Sequence, residues 1–286
     1  MGSNKRAKNE IVFEYIPDKK TPLNNSIDEN IKAVKSTFKD CDDMVYREFK
    51  EGGLEGTKLF LFYIDGLVDK ILIDNFVMNP LMISTRMVKP DFNEIKNRIS
   101  EATKISGMPV TDFKEFENIE EAVTFVLSGE TALFIDGYNK AIIIATKFWP
   151  ARGIAEPSTE TVVRGSRDGF TETFRMNTAL VRRRIRDPKL KIRQKQVGVR
   201  SRTDVAILYI EDIADERVID ELYKKLEKIN IDAILDSGYV EQFIEESNYS
   251  PFPQTQTTER PDVAAAAIVY EKAVRKNIGA EVDFTL

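Results

Sequence analysis

The sequence contains no histidine and one cysteine among its 286 residues. Without imidazole there is no Ser-His-Asp or Cys-His catalysis, no histidine-ligated metal and no proton shuttle tuned to neutral pH. Cys41 has no partner for an internal disulfide, which fits a reducing compartment. It lies in "KDCDD", where three carboxylates oppose thiolate formation, so it reads as a small, partly buried apolar residue and not as a nucleophile. Long apolar runs are missing as well. The nearest candidates, "KLFLFYIDGLV" and "TALFIDGYNKAIIIAT", are interrupted by charge and fall short of the roughly 18–20 apolar residues that a membrane-spanning helix needs. The opening "MGSNKRAKNE" carries bases with no apolar stretch behind them, so no secretory signal is expected.

The usual ligand loops are absent too. "EGGLEGTK" has glycines, a threonine and a lysine, but the spacing and order of a phosphate loop are wrong and the glycines precede a strand where they should follow one. They read as turn glycines. "DCDD" lacks the glycine and glutamate of a calcium loop and reads as an acidic helix end. Asp65 and Asp69 could do acid-base work only if a cleft held them at the right separation, which sequence does not fix. The expectation is a chain with no enzymatic activity, no cofactor and no structural metal.

What is present is an ordinary globular mixture, 42% hydrophobic and 31% charged, long enough for one large or two ordinary domains. Residues 1–27 are polar and aperiodic, a flexible lead-in. "SIDENIKAVKSTFKDCDD" spaces Ile31, Val34 and Phe38 as one helix face, and "TKLFLFYIDGL" is a compact apolar strand. Helical patterns follow up to Pro80, again over "DFNEIKNRISEATKI", and in "NIEEAVTFVLSGE", with a short strand near Val110–Phe113. "TALFIDG" and "KAIIIAT" form a hairpin across "DGYNK". A connection at 151–161 then separates a 28–150 subdomain from a 162–268 subdomain, where the order restarts. That second part holds a long helix through "GFTETFRMNTALVRRRIRD", strands in "KLKIRQKQVG" and "DVAILYIED", a helix in "DERVIDELYKKLEKI", a short strand at Ile231–Leu235 and a helix in "YVEQFIEES". Residues 269–286 form a polar helical tail. The fold class is mixed α/β (α+β): two small subdomains, each a sheet with packed helices, separated by a cleft. An ungapped overlay of residues 58–75 on 204–221 places Tyr63 on Tyr209, Asp69 on Asp215 and Ile73 on Ile219. Strand, acidic cap and helix repeat in the same order.

Charge is segregated along the chain. From Thr161 to Arg202 ten Arg and three Lys face Asp168, Glu172 and Asp187, a net of +10, which leaves −15 on the rest of a chain whose total is −5. On a helical wheel Phe170, Phe174, Asn177, Thr178, Val181 and Ile185 share one face, flanked by Arg182 on one side and Arg184 on the other. Nucleic-acid binding would want aromatics on the exposed basic face, and here both Phe point inward. The basic face reads first as solvated or paired to carboxylates, then as a protein interface, and last as a nucleic-acid or lipid surface. Arg164, Arg167, Arg182 and Arg184 are expected to pair with carboxylates in the domain or on a neighbouring copy, whereas Arg200 and Arg202 are expected in solvent. The prolines of "SPFPQTQTTERPD" (Pro251, Pro253, Pro261) predict an extended segment in place of helix or strand.

These motifs carry a resemblance. Glu156-Pro157, Arg164-Gly165, Phe170, Asn177, Leu180, Arg182, Arg184, Ser250–Gln254 (with Pro251 and Pro253) and Thr258–Asp262 (with Glu259 and Arg260) match the pattern of spore germination A subunits, so the chain resembles the GerA nutrient-receptor family. Ser166 stands where that family commonly has proline. The resemblance covers about residues 28–268 and implies a soluble N-terminal domain, cut away from a membrane-embedded remainder, with a tail of variant or foreign origin. It further implies a full-length protein in the spore inner membrane, this domain facing the cytoplasm of the spore core, and B, C and other A subunits as partners. The implied duty is assembly and signal transmission without catalysis. The alternative is a small-molecule ligand bound in the cleft between the subdomains, which would raise the melting temperature.

Overall fold

The structure, a computed structural model, describes residues 20–50, 56–79, 113–148, 159–245 and 254–276, with Leu81, Asn97 and Pro157. Residues 1–19, the expected helix over 91–105 apart from Asn97, Pro251, Pro253, most of the 151–161 connection and the tail beyond Lys276 lie outside them.

The chain is mixed α/β, with helices packed on a five-stranded and a two-stranded sheet. Helix α1 (Ile27–Thr37) leads into β1 (Met44–Lys50) and β2 (Lys58–Ile64). Helix α2 begins as an α-turn at Lys70–Leu72 and runs on as a π-helix over Ile73–Met78. Strand β3 (Phe113–Phe116), helix α3 (Ile119–Leu127) and strands β4 (Thr131–Ile135) and β5 (Ala141–Ile144) follow. The strand order is β1-β2-β4-β5-β3, antiparallel throughout, and the expected "DGYNK" hairpin joins β4 to β5.

The apolar run of β2 is explained by cover on both faces. Phe60, Phe62 and Ile64 pack under α1 and α3, while Leu59, Leu61 and Tyr63 pack with Ile73 and Val77 of α2. Phe60, Phe62 and Phe134 are at most 1% exposed, and each contributes about 1.5–3 kcal/mol by leaving water. Phe62 meets Phe134 edge-on at 5.3 Å.

The second part comprises α4 (Phe174–Arg184), β6 (Leu190–Val197), β7 (Thr203–Ile210), α5 (Glu216–Lys228), α6 (Ser237–Ile244) and α7 (Pro261–Lys276). One face of the β6–β7 ribbon packs on Val181 of α4, on Ile185 just after that helix, and on Ala265 of α7. The other packs on Leu226 of α5 and Ile234. Arg193 of β6 lies 3.9 Å from the ring centroid of Tyr223, which pins α5 by cation–π contact. The internal echo is physical. Asp69 accepts from the backbone N–H of Ile71 and Leu72 to cap α2, and Asp215 accepts from that of Arg217 to cap α5.

Three expectations are corrected. Residues 231–235 are not a strand, because their backbone serves the turn after β6: Val199 N–H donates to Ile231, Arg200 N–H to Asp232, and Ile234 N–H to Ser201 Oγ. Helix α4 starts only at Phe174, because Asn177 folds back on Thr171 and Phe170 N–H donates to the Glu259 carbonyl. Pro261 does not prolong an extended segment. It opens α7 in the first helical turn, where its missing N–H has no partner to lose. The sequence reading also missed β1.

Two glycines in the left-handed region have different surroundings. At Gly66 (φ 86°) a Cβ would stand 3.0 Å from the Arg175 carbonyl oxygen and 3.1 Å from Ala179 Cβ, whereas at Gly137 (φ 82°) nothing lies within 4 Å. Both substitutions to alanine incur backbone strain of about 1–3 kcal/mol. Gly66→Ala also separates α4 from the β2–α2 turn. Urea denaturation should therefore give a larger stability loss for Gly66→Ala than for Gly137→Ala; equal losses would mean that the close approach carries no weight.

Candidate functional site

The residues joining the two sheets form the most constrained polar cluster. Arg182 emerges from the buried side of α4 and is 0% exposed, and Asp43, in the turn before β1, is 1% exposed. Arg182 Nε donates to Asp43 Oδ2 at 2.9 Å and Nη2 to Oδ1 at 3.0 Å, the two-pronged geometry that guanidinium favours. Nη1 donates to the Leu190 carbonyl at 2.8 Å. Burial by itself lowers the Arg182 pKa, but Asp43 outweighs it and holds the guanidinium above its ordinary value. Cys41 lies beneath, its Sγ 3.5 Å from the same Leu190 carbonyl. Burial raises its thiol pKa against the pull of Arg182, so it is poorly nucleophilic, in agreement with its acidic sequence context.

Around this pair the turn at 40–42 runs along β6. Ile192 N–H donates to the Asp40 carbonyl at 3.2 Å, Asp42 N–H to the Ile192 carbonyl at 2.8 Å, and Gln194 N–H to Asp42 Oδ2 at 2.6 Å. Lys191, 2% exposed, reaches the Thr37 carbonyl at the end of α1 and pairs with Glu211 at 3.2 Å. Arg175 spans the seam at its other end, 3.6 Å from Asp65 and donating to Gln194 at 2.8 Å.

A second cluster roots α7. Arg260, 5% exposed, donates through Nη2 to the Ser166 carbonyl and to Asp262 Oδ2, both at 2.8 Å, and through Nη1 to the Glu160 carbonyl at 3.3 Å. Glu160 accepts in turn from Thr258 Oγ1 and from the Glu259 N–H, both at 2.9 Å. Burial works to raise the Asp262 pKa, yet the hydrogen bond from Arg260 prevails and holds it below the ordinary value. Arg184 ties the same loop to α4 through Asp168 at 2.8 Å and Ser166 Oγ at 2.9 Å.

The structure thus brings together Asn177, Arg182, Arg184, Glu259 and Arg260 along α4 and its contacts. Arg164 and Arg167 are exposed, and Arg164 has no ion pair among the described residues. Arg200 is 81% exposed, 3.5 Å from Asp232, and Arg202 is exposed. The sequence does not mark Asp43, because "DCDD" reads as a helix end, whereas α1 stops at Thr37 and those acids turn the chain into β1. The short apolar run Met44–Tyr46 after those acids was the one available signal, and a weak one. Arg175 carried no signal that separated it from its neighbours.

Removing Arg182 leaves the Asp43 carboxyl buried without its partner. Arg182→Met should therefore cost about 3–5 kcal/mol in urea denaturation, against about 0.5 or less for Arg200→Ala. Adding Asp43→Leu to Arg182→Met should recover a large part of the loss. Equal effects at Arg182 and Arg200 would contradict the geometry.

Comparison with known proteins agrees with the motif pattern. Residues 32–272 match the family model described as Bacillus/Clostridium GerA spore germination protein. The chain is 38% identical over 269 residues to the uncharacterized membrane protein YfkQ of Bacillus subtilis (strain 168), covering 93% of this chain and 50% of that protein. It is 34% identical over 247 residues to spore germination protein KA of the same organism, covering 86% and 44%. It spans about half the length of these curated relatives. The crystal structure of the N-terminal domain of the A subunit of the Bacillus megaterium spore germinant receptor GerK3 superposes with a TM-score of 0.65 at 30% identity, covering 88% of this chain and 91% of that one. The chain belongs to the GerA family of spore germination proteins.

Proposed function

We propose that this chain is the N-terminal domain of a germinant receptor A subunit and works in receptor assembly and signal transmission, not in catalysis. Its partners are the B and C subunits and other A subunits of a receptor in the spore inner membrane, with this domain facing the cytoplasm of the spore core. The match to the GerK3 A-subunit domain over nine-tenths of that domain's length supports the identity. The geometry supports the role. Arg260 fixes the first turn of α7 to the 160–168 loop, Arg184 fixes that loop to α4, and Arg182 fixes α4 to Asp43 beside the five-stranded sheet. A displacement applied at α7 therefore meets a chain of charged hydrogen bonds and packed helices before it reaches the first sheet. Such a connection suits transmission of force or position better than chemistry. Among the described residues no group of three or more His, Cys, Asp or Glu could hold a metal ion, and no helix is long and apolar enough to cross a membrane.

The test is made in spores carrying the full-length protein. Arg184→Met, which cuts the link between loop and α4, should slow germination in a complete nutrient mixture by about tenfold or deplete the B and C subunits from the inner membrane; Arg200→Ala should do neither. Unchanged germination and subunit levels with Arg184→Met would sink the transmission and assembly role. Steady substrate turnover by the purified chain would refute its non-catalytic nature.

A further inference from the structure

The two-stranded sheet has an edge with no occupant among the described residues. Ile192 of β6 spends its N–H and C=O on Asp40 and Asp42, so its backbone faces away from β7. Its register partner is Leu208. In an antiparallel ladder the partner of an outward-facing residue also faces outward, and the period is two. The N–H and C=O groups of Leu208, Ala206 and Asp204 therefore point away from β6, and among the described residues none of them makes a hydrogen bond.

That edge opens into a slot. Two contiguous hollows, ≈ 450 and ≈ 590 Å³, run along β7 between Phe174 and Asn177 of α4 on one side and Leu235 and Ser237 on the other. Two helical layers standing apart beside an unpaired strand edge leave space for one more strand.

The first sheet shows what such a slot takes. In the internal echo Lys58, Phe60 and Phe62 of β2 correspond to Asp204, Ala206 and Leu208 of β7. The Lys58 carbonyl accepts from Asp136 N–H at 3.0 Å, on the side where β4 lies, and β4 pairs antiparallel with Phe60 and Phe62. The same edge that is filled at β2 is open at β7.

We propose that the free edge of β7 is a docking site for an extended strand of a partner polypeptide, added antiparallel as a third strand of the ribbon. Backbone hydrogen bonds supply the affinity in this mode and side-chain pockets supply the selection. The slot wall offers Phe170, Phe174, Val181 and Leu208 to apolar side chains on one face of the incoming strand. Glu172, Asp204, Asp236, Glu241 and Glu259 line the slot, and no lysine or arginine lies among its described lining residues. The fitting partner is an apolar strand flanked by basic residues. A second copy of β7 would oppose acid to acid, and residues 277–286 of this chain carry Glu281 and Asp283 with no base.

The test uses the whole chain and an acetylated, amidated Lys-Thr-Val-Thr-Val-Thr-Lys peptide, with amide exchange followed by NMR. In the dilute chain alone the amides of Asp204, Ala206 and Leu208 should exchange about tenfold or more faster than those of Val205, Ile207 and Tyr209, and saturating peptide should slow the first set by a similar factor. Peptide N-methylated on one alternate set of amides should lose the effect, while methylation of the other set should retain it. Ala206→Pro removes one outward N–H from an edge position and should abolish protection by the peptide without lowering the melting temperature. Should that variant fail to fold, the methylated peptides decide alone. The proposal is overturned if the edge amides are already protected in the dilute chain, which would mean that another part of the chain covers them. It is equally overturned if protection appears with rising protein concentration together with a doubled mass in sedimentation, or if both methylated peptides behave alike.

Discussion

The buried pair between Arg182 and Asp43 is the contact on which the arrangement of the two sheets depends. A guanidinium and a carboxylate out of water are tolerable only when nearly every donor and acceptor is met, and here Nη1 is met by the backbone carbonyls of Asp187 and Leu190 on the approach to β6. A pair of this kind adds little to stability relative to a well-packed apolar alternative. Its effect is on geometry, since helix α4 can lie against the first sheet in only one register without stranding a charge. The close approach at Gly66, where α4 sits against the turn after β2, follows from that register.

From this contact the rest of the second part is ordered outward. Helix α4 presents Val181, with Ile185 just beyond its end, to the ribbon on one side and Ala179 to the core of the first sheet on the other. The turn at 40–42 extends the ribbon by bonding to β6, so the chain of the first part contributes directly to the second. Arg184 and Arg260 then fasten the loop and the base of α7 to that helix. The basic stretch is divided: Arg175 and Arg182 meet carboxylates contributed from the first part of the chain and Arg184 meets Asp168 within the stretch itself, whereas Arg164, Arg167, Arg186, Arg200 and Arg202 are exposed.

Much of this could be read from residue patterns, and the exceptions have physical causes. The doubly covered strand at "KLFLFYI", the β4–β5 hairpin and helix α5 each announce themselves by local periodicity, and the Asp69–Asp215 echo identified both caps. Strand β1 was missed because it is an edge with mixed polar faces, where period-two alternation is weak. The 231–235 segment looked like a strand because its Ile231 and Ile234 are apolar, but its hydrogen bonds go to a turn contributed by residues 199–203, a long-range fact that local pattern cannot hold. Of the four arginines expected to pair, Arg182 meets Asp43 and Arg184 meets Asp168, while Arg164 is exposed without an ion pair among the described residues; Asp43 carries no local mark, because a buried carboxylate and an exposed one look alike until the partner helix is in place.

The position of Cys41 has a practical meaning. The thiol lies under the seam, 3.5 Å from the Leu190 carbonyl that also receives Arg182, and no other thiol exists in the chain. A disulfide-exchange reagent can reach it only when the 40–43 turn lifts away from β6. The chain thus contains its own chromogenic clock for separation of the two sheets, readable in the unmodified protein without an engineered label, and its labelling rate under any added partner or solute measures how often that seam breathes.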